Sequence, residues 1–176
     1  MRKLTVEDLH RIDIDTFKKS EKLPLVMVLD NIRSLHNVGS VLRTADAFRI
    51  EAVYMCGITA TPPSPEIHKT ALGAEDSVRW QYYPDTLQAV RELQAQGYTV
   101  LAVEQVEGSL QLGHFSFTPG KRYALVMGNE VKGVQQSVVD ACDQALEIPQ
   151  YGTKHSMNVS VTAGIVIWEV ERVNQP

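Results

Sequence analysis

The sequence predicts an α/β domain built on a mainly parallel sheet with helices on both faces. Three apolar runs of strand length carry that prediction: LPLVMVLD (Leu23–Asp30), YTVLAVE (Tyr98–Glu104) and RYALVMG (Arg122–Gly128). None alternates apolar with polar residues, so each reads as a strand covered on both sides. Segments of helical periodicity separate these runs, and no Pro-, Gly- or Ser-rich linker divides the chain. At 176 residues and 44% hydrophobic content, one domain with a proper core is expected.

In chain order, Thr5–Lys19 sets Leu9, Ile12 and Phe17 among charges, the pattern of a short amphipathic helix. Residues 1–22 read as a helical extension and 23–176 as the core. After the first strand, NVGSVLRTADAF reads as a helix with Asn37 as its candidate cap, and EAVYMCG as the next strand. TATPPSPE is a loop, followed by a short helix around Ile67–Leu72 and an extended SVRWQYY. DTLQAVRELQAQG is a helix that Asp85 caps and Gly97 stops. VQQSVVDAC is helical, QALEIP is a short strand stopped by Pro149, and Val159–Val173 is the final helix. In such sheets ligands sit beyond the carboxyl ends of the strands. The loops after Asp30, Glu104, Gly128 and Pro149 are therefore the places to search.

A formal charge of −4 argues against a general basic grip on nucleic acid but leaves room for a local patch. Cys56 and Cys142 lie far apart among apolar residues, forming neither a metal cluster nor a disulfide framework, and read as buried thiols. No metal site is expected. MRKLTVEDLHRID carries no apolar run suited to a signal peptide, and nothing approaches a membrane span. The expectation is a cytoplasmic protein.

Three polar loops stand out. In HNVGSVLRTADAF, Gly39 allows a close approach to the backbone, and Arg43 is either an ion-pair partner with a packed stem or a bidentate phosphate clamp. VMGNEVKGV leaves a strand through Gly128 and lacks the Walker pattern; its simplest reading is a turn with Glu130 at a positive helix end. In IPQYGTKHSMNVSV, Ser156 and Asn158 are good helix caps. His155 beside Ser156 invites a hydrolase reading, but no G-x-S-x-G elbow occurs and sequence neighbours rarely form a nucleophile–base pair. His10 and His114 read as surface residues, Trp168 as core or interface, and Tyr82 and Tyr83 as strand neighbours on opposite faces.

Taken in this order, the three loops resemble the motifs of the SpoU (TrmH-type) RNA ribose 2′-O-methyltransferases of the SPOUT superfamily, over Leu25 to Val170. The resemblance implies a deep C-terminal trefoil knot, an exception to general topology rules. It also implies S-adenosylmethionine held by the knot loops, and a homodimer with the active site at the subunit interface. The motif residues carried over are Asn37, Arg43, Glu130, Ser156 and Asn158. The cofactor loops map onto Val103, Glu104, Gly128, Asn129, Ile148, Met157 and Asn158, with Met157 where the family more often has leucine. The implied reaction moves a methyl group to a ribose 2′-hydroxyl of tRNA or rRNA. Arginine, whose ordinary pKa exceeds about 12, is a poor base, so Arg43 is expected to hold the adjacent phosphate. Asn37 would orient Arg43 or the ribose, Glu130 would hold Arg43, and His155 is a candidate proton acceptor. Arg33, His36, Arg43, Lys132 and Lys154 are the leading RNA-binding candidates, to be pooled by the dimer. No appended RNA-binding domain is expected. The rival readings are a non-catalytic RNA-binding assembly factor, a base methylase and a serine hydrolase.

Overall fold

The computed structural model describes residues 1–175. Its strands are β1 (Leu23–Asp30), β2 (Ile50–Cys56), β3 (Trp80–Tyr83), β4 (Thr99–Val103), β5 (Leu110–Gln111), β6 (Tyr123–Met127) and β7 (Gln144–Glu147). They form one sheet in the order β3-β2-β1-β6-β4-β7-β5, and every pairing is parallel. The helices are α1 (Ile14–Lys19), α2 (Leu35–Ala47), α3 (Pro65–Ala71), α4 (Ala74–Ser77), α5 (Thr86–Ala95), α6 (Gln136–Ala141) and α7 (Val159–Asn174).

The absence of alternation in β1 has a direct cause. Leu25, Met27 and Leu29 pack into one core with Val38, Leu42, Ile67 and Ile167, from α2, α3 and α7. Val26 and Val28 point the other way, into a second core with Val90 and Leu93 of α5 and Val138 of α6. Both faces are covered, as expected for parallel strands. Tyr83 is buried and Tyr82 is exposed, so that adjacent pair does split across the sheet. Burial pushes both cysteine thiols up to about 12, which leaves neither reactive at neutral pH.

Three local readings need correction. The helix expected over Thr5–Lys19 is broken into a single 3₁₀ turn, Glu7–Leu9, and the short α1. Asp8 accepts the Thr5 N–H and hydroxyl, and Asp13 caps α1 by accepting the Thr16 N–H. These side chains compete with a continuous helix, and only Phe17 of the apolar trio is buried. Second, α2 starts two residues before Asn37, because Ser34 is the cap: its hydroxyl accepts the Asn37 N–H at 3.2 Å. The Asn37 side chain is thereby freed for other work. Third, α4 and the two-residue β5 carry too little pattern to be read from sequence. Among the described residues, no helix is long and apolar enough to cross a membrane.

Gly39 is a place where the backbone is approached closely, but by this chain's own α3. A Cβ at Gly39 would run into the Ile67 carbonyl and the Thr70 hydroxyl. Gly39→Ala is therefore expected to destabilise the fold by about 1–3 kcal/mol through overpacking, read by urea denaturation. A change below about 0.5 kcal/mol would show that the α2–α3 crossing relaxes freely.

Candidate active site

Because every strand runs the same way, the loops after β4, β6 and β7 leave one edge of the sheet side by side. They enclose a cavity of about 660 Å³. Val103, Glu104, Gly128, Asn129, Ile148, Met157 and Asn158 all line it. Strand-end side chains Val103, Met127 and Leu146 supply an apolar floor, while Glu104, Glu130, Lys132 and His155 stand around the walls.

The loop after β6 is held by its own backbone. Asn129 and Gly133 exchange two hydrogen bonds, of 3.0 and 2.8 Å. The Asn129 carbonyl oxygen of the side chain accepts the Val131 and Lys132 N–H groups, and its amide nitrogen donates to the Asn31 carbonyl at 2.6 Å. A side chain at Gly128 would strike the Gly133–Val134 backbone, and Gly133 has a left-handed φ of 67° against the Glu104 carboxylate. Glu104 accepts the Val134 N–H at 2.9 Å and the Gln105 N–H at 2.9 Å, joining the loops after β4 and β6.

Side chains from all three motif loops meet in one hydrogen-bonded chain. Glu130 Oε2 accepts the Arg33 N–H at 2.9 Å, and Oε1 accepts the Ser34 N–H at 3.0 Å. The Asn37 amide nitrogen donates to Glu130 Oε1 at 3.1 Å, and the Asn158 amide nitrogen donates to Asn37 Oδ1 at 3.1 Å. Asn158 Oδ1 then caps α7 by accepting the Ser160 N–H at 2.9 Å. Glu130 thus does sit at a positive helix end, but that of α2, far away in sequence. Burial pushes its carboxyl up. The N–H groups of Arg33, Glu130 itself and Ser34, with the Asn37 amide, outweigh that and hold it below its ordinary 4.5.

The expected pairing of Glu130 with Arg43, and of Asn37 with Arg43, is not what the fold makes. Both Glu130 oxygens and the Asn37 amide are engaged as above, and Arg43 opens into a separate recess beside the N-terminal segment. The other candidates scatter around the cavity. Lys132, His155 and Ser156 line it; His155 and Ser156 make no side-chain hydrogen bond among the described residues. His36 pairs with Glu66 at 3.1 Å, Arg33 is exposed, and Lys154 is exposed on the last loop. Sequence reasoning missed the role of Asp30. Its buried carboxylate accepts from the Thr86 hydroxyl at 2.6 Å, the Asn31 amide at 2.8 Å, and the Gln135 N–H and amide at 2.9 and 2.8 Å. The signal was there: a lone acid ending an apolar strand at the ligand edge.

Residues 24–168 match the model of the SpoU rRNA Methylase family. The chain belongs to that family. A 23S rRNA (guanosine-2'-O-)-methyltransferase RlmB from Neisseria meningitidis is 34% identical over 158 residues, 90% of this chain. The protein of the same name from Pasteurella multocida is 32% identical over 94% of it. This SpoU-family chain spans 62% and 67% of the length of those two relatives. Among solved structures, the A. aeolicus TrmH/SpoU tRNA modifying enzyme superposes with a TM-score of 0.79 at 27% identity, covering 91% of this chain and 79% of that one. An AdoMet-bound rRNA methyltransferase from Sinorhizobium meliloti gives 0.78 at 26%, covering 88% and 61%.

The Glu130 network has a pH signature. Its folded value lies below 4.5, so its contribution to stability is complete above about pH 4.5 and is lost as pH falls through the folded value. Glu130→Gln is expected to flatten the acid limb of the urea-stability profile; an unchanged limb would mean that the carboxylate titrates freely in the fold. Asn37→Asp sets a second carboxylate against Glu130 and is expected to cost about 1–3 kcal/mol at neutral pH. That loss should shrink on acidification, and an equal loss at both pH values contradicts charge repulsion as its cause.

Proposed function

We propose that this chain is an S-adenosylmethionine-dependent RNA methyltransferase that modifies a ribose 2′-hydroxyl, acting in the cytoplasm as a homodimer. The observation that carries the reading is the Glu130–Asn37–Asn158 chain, which ties the first family motif to a cavity walled by the other two and by the loop after β4. The names of the curated relatives favour ribosomal RNA as the substrate class. The threading of the segment after β7 into a knot belongs to the same proposal, supported by likeness to the solved family structures.

The residues present suit such a cofactor. A cavity of about 660 Å³ is ample for a nucleoside-sized ligand. Its floor of Val103, Met127, Leu146 and Ile148 fits an aromatic base, with Met157 at the rim, and the loop backbones offer polar groups for the rest. When bound, the cofactor supplies an electrophilic methyl group on a sulfonium. The chain's own task is placement, since holding the acceptor hydroxyl in line accounts for much of the rate in such transfers. Asn158 and Glu130 fix the cavity wall through Asn37. Arg43 grips the phosphate next to the acceptor ribose with its planar fork. His155, exposed at the cavity, is placed to take the proton that the hydroxyl loses.

Arg43 opens away from its own chain's cavity, which supports a site completed by Arg43 of the partner protomer. An apolar stripe on α7, with Val161 and Trp168 54% and 47% exposed, supports the dimer contact.

Incubation with methyl-labelled S-adenosylmethionine and bacterial ribosomal RNA tests the activity: label is expected in nucleotides resistant to alkaline cleavage. Arg43→Ala is expected to lower transfer by about 100-fold or more while donor affinity holds. Mixing inactive Arg43→Ala and Asn158→Ala chains, allowed to exchange subunits, should restore about a quarter of the activity if sites are shared across a two-fold. No restoration would place the whole site in one chain. His155→Ala should remove an ionisation from the pH–rate profile; an unaltered profile retires His155 as the base.

A further inference from the structure

A second cavity, of about 870 Å³, lies between the N-terminal segment, the end of α2 and the α3–α4 turn. Arg11, Arg43 and Arg49 all line it. None of the three makes an ion pair or a side-chain hydrogen bond among the described residues, whereas Arg2, Arg122 and Arg172 are each paired. The two carboxylates in the same walls are already engaged. Asp13 caps α1 through the Thr16 N–H at 2.7 Å, and Asp46 accepts the Ser77 hydroxyl at 2.5 Å. Next to this recess, burial and the Arg49 charge both push the Lys22 ammonium down. The lining itself sets three guanidiniums against two carboxylates, so the recess is net positive.

The backbone around the recess is also unusual. Four non-glycine residues of the described chain have left-handed φ, and His10 (45°), Arg49 (48°) and Leu72 (54°) line this one cavity. Glycine makes such turns without strain, so the long cation at Arg49 is placed there at a conformational cost. Leu9, Ile12 and Leu72 remain 42%, 47% and 61% exposed, leaving apolar carbon between the guanidiniums. Guanidinium forks set among apolar surface suit a phosphodiester strand with its sugars and bases.

We propose that this recess receives the RNA strand, with Arg11 and Arg49 holding the phosphates that flank the nucleotide presented to Arg43, and with residues 9–14 forming a wall that selects the RNA shape admitted. The assignment rests on the RNA methyltransferase reading above and adds two positioning residues and a selectivity wall to it. Arg11 and Arg49 touch phosphates away from the reacting atoms, so their loss weakens RNA binding without slowing the chemical step.

The test uses full-length Arg11→Ala and Arg49→Gly, the second chosen because glycine keeps the left-handed turn. Binding of bacterial ribosomal RNA is measured from low to moderate salt, together with kcat, KM for RNA and affinity for S-adenosylmethionine. Each variant is expected to weaken RNA binding about three- to tenfold and to make the log–log salt slope shallower by about 0.7–0.9, the value of one lost phosphate contact. KM for RNA should rise in step while kcat and donor affinity hold, and Arg49→Lys should recover most of the loss. Wild-type affinity and salt slope in both variants would overturn the proposal. So would weaker binding with an unchanged slope, which would mean lost shape instead of lost phosphate contacts. A wild-type chain that neither binds RNA nor transfers methyl would overturn the enzyme reading itself. An active wild type beside indifferent variants overturns the recess alone.

Discussion

The side-chain amide of Asn37 is the contact on which the rest of the site depends. It donates to Glu130 and accepts from Asn158, and so joins the starts of α2 and α7 to the loop after β6. An amide suits both ends, because one partner is a carboxylate that needs a donor and the other is an amide nitrogen that needs an acceptor. Glu130 in turn takes two backbone N–H groups at the α2 start, which would otherwise lack partners there. Each group in the chain satisfies its neighbour, so the cavity wall is set before any ligand arrives.

That chain works only on the platform beneath it. β1, β6, β4 and β7 are neighbours in the sheet although far apart in sequence, and their parallel sense brings all four carboxyl ends to one edge. Asp30 ties the end of β1 to the starts of α5 and α6, and Glu104 ties the loop after β4 to that after β6. Gly128 lets the loop fold back on itself where any side chain would collide with backbone. The cavity is therefore a property of topology and of a few small or bidentate residues at strand ends.

Helix α2 divides the work. At about 100° per residue, a residue six positions after Asn37 points roughly 240° round the helix, so Asn37 and Arg43 leave α2 on different sides. Asn37 faces the cavity wall, and Arg43 opens into the recess with Arg11 and Arg49. The negative overall charge and a positive recess are compatible for this reason: the cations are few but share one place without carboxylate partners.

Much was legible in the sequence. Continuous apolar runs foretold buried parallel strands, because a strand covered on both faces has no need to alternate. Asp85, Gly97 and Asn158 could be read as helix-end residues from local chemistry alone, and the loops that line the cavity were marked by position at strand ends. The sequence was misleading where two local signals competed, as at Thr5–Lys19, where Asp8 and Asp13 bind backbone N–H groups and break the helix, and at Asn37, where Ser34 takes the cap. What only the tertiary structure decided was which distant groups meet. Glu130 binds the α2 start instead of Arg43, Gly39 faces α3, and Arg43 joins Arg11 and Arg49 instead of the cavity beyond β4, β6 and β7. Local sequence determines backbone preference and the face a residue occupies, but partners brought together across the sheet depend on strand order, which no single segment encodes.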